Sequence, residues 1–136
     1  MGLLDDFAKA RADRPEPIMV DVAIGDGLYK VEVTRLDGMA WAAIMAECPP
    51  EDAGSARLGY SPSAAALLAC KRFARLFDAE GEPVADVDWG EVFAAISGVE
   101  VQAIAASWWA LNMGDPNQRV VDLKKASAAG GVTSSS

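Results

Sequence analysis

The chain contains no histidine. That removes the residue on which Ser-His-Asp and Cys-His catalysis rely, and with it the usual general base near neutral pH. Cysteine is scarce: Cys48 and Cys70 are the only two, without the close-set spacing and additional ligands that a zinc site needs. Both sit in apolar stretches, which reads as buried free thiols in a reducing compartment; a disulfide between them would need a secreted context. Positive charge is in deficit, with 12 Lys and Arg against 20 Asp and Glu and a net charge of −8. Such a surface repels phosphate backbones and argues against nucleic-acid binding. The densest basic cluster, Lys71, Arg72 and Arg75, lies beside Asp78 and Glu80 and reads as a solvated face. Long apolar runs are missing too. Nothing approaches the roughly 18 residues of a membrane span, and MGLLDDFAKARADR has neither the basic start nor the apolar stretch of a signal peptide. The expectation is a cytoplasmic protein that contacts no membrane.

The remaining polar clusters also lack the spacing that chemistry requires. Gly25-Asp26-Gly27 has no following lysine or helix and is not a phosphate loop. Glu51 and Asp52 do not have the ligand spacing of a calcium loop. Asp86, Asp88 and Glu91 are near one another, but helix capping accounts for the last two. The expectation is therefore a protein with no catalytic residues, no cofactor and no metal.

What is present suits one globular domain. A chain of 136 residues, 51% hydrophobic and 24% charged, can bury roughly two-thirds of the surface its unfolded state exposes. Alanine supplies much of the apolar share and favours helix. Residues 1–17 read as a leader with a short helix, in which Leu3, Leu4 and Phe7 share a face and Pro15 and Pro17 stop any continuation. Ile18, Val20, Val22 and Ile24 then alternate with Met19, Asp21 and Ala23, the period of a half-buried strand. Gly25-Asp26-Gly27 supplies a turn, and Tyr29, Val31 and Val33 form the inner face of the return strand. A lone hairpin is marginal in water, so this one must pack on helices.

The helices follow. Asp37 caps a segment that presents Trp41, Ile44, Met45 and Cys48 on one side and ends at Pro49-Pro50. A polar loop leads to Ser61-Pro62, a cap and first helical residue, and the spacing predicts a helix to about Phe77 that buries Leu67, Cys70, Ala74 and Phe77. Residues 78–86 read as a turn. Asp88 and Glu91 start another helix, bracketed by Val87 and Val92 and carrying Trp89, Phe93 and Ile96. Ser97 and Glu100 start the last, which runs to about Asn112, buries Val101, Ile104, Ala105, Trp108 and Leu111, and ends at Gly114-Asp115-Pro116. Val120 to Lys125 can form one more helical turn, and residues 115–136 otherwise read as a flexible tail. The fold class is α+β, mostly α, with an N-terminal β-hairpin packed on a bundle of about four helices over residues 18–114.

Four tryptophans are many for this length. Trp41 and Trp108 fall on the main apolar stripes and read as core. Trp108 and Trp109 point about 100° apart on one helix, so both are buried only if that helix is covered on two sides. Either it is the central helix of the domain, or one tryptophan faces a partner.

Taken in order, these segments resemble the tail assembly chaperones of long-tailed phages that infect actinobacteria. The likeness runs over about residues 18–114. It rests on the Val and Ile hairpin around Gly25-Asp26-Gly27, then Leu36-Asp37-Gly38-Met39-Ala40-Trp41, Cys48-Pro49-Pro50 and Leu58-Gly59-Tyr60-Ser61-Pro62. It continues through Ala65-Ala66-Leu67-Leu68-Ala69-Cys70, Asp88-Trp89 and a last helix ending in Trp109-Ala110-Leu111-Asn112. The chain departs from the pattern at Ala40, where family members usually carry an acidic residue. The resemblance implies a non-enzymatic protein of the infected cell's cytoplasm that binds the tape-measure protein and keeps it soluble while tail-tube subunits polymerise around it. It also implies release before the virion matures, and a second, longer form made by ribosomal frameshifting. The major tail-tube protein and that longer form are further expected partners, and an uncovered tryptophan face would favour self-association into a homo-oligomer until a partner arrives. Trp109 and Met113, with Leu3, Leu4 and Phe7, fit the expected core least well and are the candidate partner-binding residues. A head–tail connector or tail completion subunit of the virion is the alternative reading. An unusual enzyme or a transcriptional regulator suits the missing histidines and the acidic surface poorly.

Overall fold

The hairpin forms where alternation and turn chemistry coincide. In the computed structural model, which describes residues 2–12, 14–114 and 124–125, a first helix α1 (Leu3–Ala12) precedes strands β1 (Ile18–Ile24) and β2 (Gly27–Val33). The strands are antiparallel, with Val20 opposite Val31 and Ile18 opposite Val33. Gly25, at φ 59°, takes the first central position of a two-residue turn, a place that favours a residue without Cβ. Val20, Val22, Val31 and Val33 are buried and face the helices, as the alternation predicts.

Five more helices follow: α2 (Gly38–Glu47), α3 (Ala53–Leu58), α4 (Pro62–Phe73), α5 (Trp89–Ala95) and α6 (Gly98–Asn112). Each begins at a side-chain cap. Asp37, Asp52, Ser61, Asp88 and Ser97 accept hydrogen bonds from the backbone N–H three residues on, satisfying donors that a helix start leaves free. At α6 the cap is reciprocal: the Ser97 hydroxyl accepts from Glu100 N–H while the Glu100 carboxylate accepts from Ser97 N–H. The class is α+β and mostly helical.

Two elements differ from the sequence expectation. The helix expected to reach Phe77 ends at Phe73, and Arg75–Phe77 forms a third strand, β3, antiparallel to β2. The competing gain is non-local. Leu76 is buried opposite Val31, Arg75 pairs with Glu32 at 3.2 Å, and the Arg75 guanidinium lies 4.9 Å above the Phe77 ring. The segment after it folds back, with Asp78 N–H donating to the Glu82 carbonyl and Val84 N–H to that of Leu76. The polar loop expected after Pro50 contains α3, closed by a capping box between Asp52 and Ser55 and ended by Gly59 at φ 83°. A hairpin on about four helices thus becomes a three-stranded sheet, ordered β1-β2-β3, with six helices among the described residues.

The core lies between the sheet and the helices. Trp41 of α2 and Trp108 of α6 stack, their ring centroids 6.4 Å apart and planes within 11°, and Tyr60 meets the Trp41 ring edge-on at 5.9 Å. Ala65, Ala66, Ala69 and Cys70 let α4 approach closely, and Ile44, Ile104, Trp89, Val92 and Ile96 fill the remainder. Cys48 and Cys70 are both buried free thiols. The expected tail over 115–136 lies outside the described residues apart from Lys124 and Lys125, as do Asp115-Pro116 and most of the expected turn at Val120 to Lys125.

Candidate functional site

The helix stripe that buries Trp108 turns Trp109 outward. Trp108 is 1% exposed and Trp109 41%, so α6 is covered on one side only and the second tryptophan of the pair reaches solvent. Ala105 and Met113 lie one turn before and after Trp109, and Met113 is exposed as well. Against this side of α6 sits the junction between α3 and α4. Leu58 ends α3, Gly59 reverses the chain, and Tyr60 and Pro62 lead into α4. Together Leu58, Tyr60, Pro62, Ala105, Ala106 and Trp109 line a groove of about 270 Å³. Small residues form part of its wall, and Trp109 and the exposed Leu58 are its large apolar members.

The groove rests on a fixed base. Tyr60 is almost fully buried and held edge-on against Trp41, and the Ser61 N–H donates to the Cys48 carbonyl at 2.8 Å, tying the start of α4 to the end of α2. Helix α6 is held at both ends. Near its start, a Glu100 carboxylate oxygen accepts from Ala23 N–H at 2.7 Å, and these contacts hold the Glu100 carboxyl below its usual range, first through the Ser97 N–H and next through that of Ala23. At its end, the Asn112 side chain accepts from Leu36 N–H at 2.7 Å and donates to the Thr34 carbonyl at 3.2 Å.

The other candidate residues are elsewhere. Leu3, Leu4 and Phe7 lie on α1, 66%, 80% and 49% exposed. The far end of α1 lies near the domain, where Ala10 and Arg14 line a small cleft with Arg35, Leu36, Asp37 and Gly38, and Arg14 Nη1 donates to the Arg35 carbonyl at 3.5 Å. Trp109 and Met113 therefore share one surface, and Leu3, Leu4 and Phe7 form a second. Leu58, Tyr60 and Pro62 were not singled out as site residues from the sequence. The Gly59-Tyr60-Ser61-Pro62 run marks a helix start, but only the packing of that start against α6 turns it into a wall.

The charged groups are arranged for structure. Arg72 pairs with Glu47 at 2.7 Å and Arg75 with Glu32, so two of the three cations in the basic cluster are matched by carboxylates. The Arg72 guanidinium holds the Glu47 carboxyl below its usual range, and the Ser55 backbone and hydroxyl do the same for Asp52. Burial pushes the Cys70 thiol up to about 12, which suppresses the nucleophilic thiolate. Among the described residues no group of three or more Cys, Asp or Glu side chains is placed to hold a metal ion, and no helix is long and apolar enough to cross a membrane. The arrangement can offer an apolar slot and an exposed indole to another surface. Compared with protein-family models, curated proteins and solved structures, the chain matches none.

Proposed function

We propose that this chain is a phage tail assembly chaperone that binds helical segments of the tape-measure protein and keeps them soluble while the tail tube assembles. The observation that carries the reading is the apolar groove beside Trp109, on a helix whose opposite side is core. A groove between helices with an aromatic on its rim suits an amphipathic helix, which inserts apolar side chains spaced a turn apart. The net charge of −8 complements basic flanks on such a helix and keeps the free chaperone soluble. The order of segments over about residues 18–114, which resembles that of tail assembly chaperones, supplies the identity of the client. On this reading the protein performs no catalysis, acts in the host cytoplasm and leaves before the particle matures. The major tail-tube protein and a frameshifted longer form of the chain are its further partners.

Co-expression with the tape-measure protein provides the test. Trp109→Ala is expected to lower the affinity of capture roughly 30-fold, the loss of one aromatic hot spot worth about 2 kcal/mol. Circular dichroism should stay unchanged, because the side chain lies outside the core. Equal capture by the variant counts against the groove. Mass spectrometry of purified virions addresses the role itself: abundant peptides from this chain in mature particles would favour a head–tail connector or tail completion subunit.

A further inference from the structure

Two exposed apolar features among the described residues are complementary to each other. Helix α1 carries Leu3, Leu4 and Phe7 on one side, and no element of the domain packs extensively against it. The groove between the α3–α4 junction and α6 is apolar and open. Charge matches as well. Asp5 and Asp6 follow directly after the leucines in the first turn of α1. Arg57, next to Leu58 on the groove wall, is exposed and has no ion-pair partner among the described residues. A helix seated with its leucines against Leu58 would bring those carboxylates towards that guanidinium.

We propose that α1 of one copy docks in the Trp109 groove of a second copy, and that the second copy returns the contact. The donor is a neighbouring molecule because α1 is already tethered in its own chain. Ala10 and Arg14 sit against the start of α2, and this leaves the apolar, N-terminal end of α1 projecting into solvent. Pro15 and Pro17 stiffen the connection to β1, which resists folding α1 back across the domain. A two-fold exchange fills both grooves and covers both helices at once, so each contact is made twice and the assembly closes at two copies. Phe7 and the leucines enter between Leu58 and Trp109, above Ala105 and Ala106. This dimer is a property of the free protein, whatever its client.

The test uses the full chain, purified without any phage partner. Sedimentation velocity over a concentration series should show a monomer–dimer equilibrium. Phe7→Ser on the donor side and Trp109→Ala on the acceptor side should each raise its dissociation constant by about tenfold or more. Phe7 and Trp109 are both outside the core, and circular dichroism checks that the fold persists. Direction is read by disulfide trapping. A Leu4→Cys copy mixed with an Ala106→Cys copy should give a cross-linked heterodimer under mild oxidation, while buried Cys48 and Cys70 stay unreactive. A monomer at all concentrations overturns the proposal. So does a dimer weakened by Trp109→Ala but not by Phe7→Ser, which would mean groove against groove. A cross-link confined within single chains of a Leu4→Cys, Ala106→Cys double variant, which would mean docking in cis, overturns it too. Each of these failures leaves tape-measure capture to be decided by its own experiment.

Discussion

Asn112 shows how much one side chain can organise. Its carboxamide closes three hydrogen bonds, accepting from Leu36 N–H and donating to the carbonyls of Thr34 and Trp108. Asn112→Ala leaves part-buried backbone groups unpaired where β2 passes into α2, and should cost about 2 kcal/mol in urea unfolding. Cys70 makes the opposite case, a reactive group silenced by its surroundings. With its thiol pushed up to about 12, the thiolate fraction at pH 8 is about one in ten thousand, and burial denies access as well. A thiol reagent should therefore label Cys70 of the native protein no faster than the protein opens, and label it rapidly in denaturant. Fast labelling of native protein would contradict the packing of α4 against α6.

The elements differ in how openly the sequence states them. β1 and β2 are legible because alternation and a glycine turn are local signals, and α2, α4, α5 and α6 because each starts at a capping residue followed by a helical stripe. Even Trp109 and Met113 were legible as misfits, since the stripe through Ile104 and Trp108 excludes them. β3 was not, because Lys71 to Phe77 continues an acceptable helical pattern and only the pairing of Leu76 with distant Val31 ends it. α3 was hidden for another reason: it is six residues long, contains Gly54, and its box uses Ser55 where glutamate is the familiar partner. The groove inherits that blindness, since half of its lining depends on where α3 delivers Leu58, Tyr60 and Pro62. Leu76→Ala tests β3 directly. It should cost about 3 kcal/mol and lower hydrogen-exchange protection along the β2–β3 ladder, whereas a helix continuing to Phe77 would leave that ladder absent.

For the whole molecule, the shifted groups define a window of pH stability. Glu100, Glu47 and Asp52 all titrate below their usual values when folded, so their contributions are present above the unfolded values near 4 and are lost as pH falls through the folded ones. On the alkaline side Cys70 keeps its proton more tightly in the folded state. Its contribution is full below the unfolded value of 9.0 and is lost as pH rises towards about 12. Stability should plateau between about pH 5 and 9 and decline on both sides, with Glu100→Gln flattening the acid limb in urea titrations. An unchanged acid limb would mean that the Glu100 carboxylate accepts neither the Ser97 nor the Ala23 N–H in solution. The bond to Ala23 and the Asn112 bonds have a mechanical meaning when taken together. They pin the start of α6 to β1 and its end to the segment that leaves β2 for α2, so the helix is a strut between two anchors. A load applied through Trp109 is shared by both anchors and spreads into the sheet, where strands joined side by side resist shear. The α6 wall of the groove is then braced at both ends, and the client helix of the proposed function would meet a surface supported from two sides.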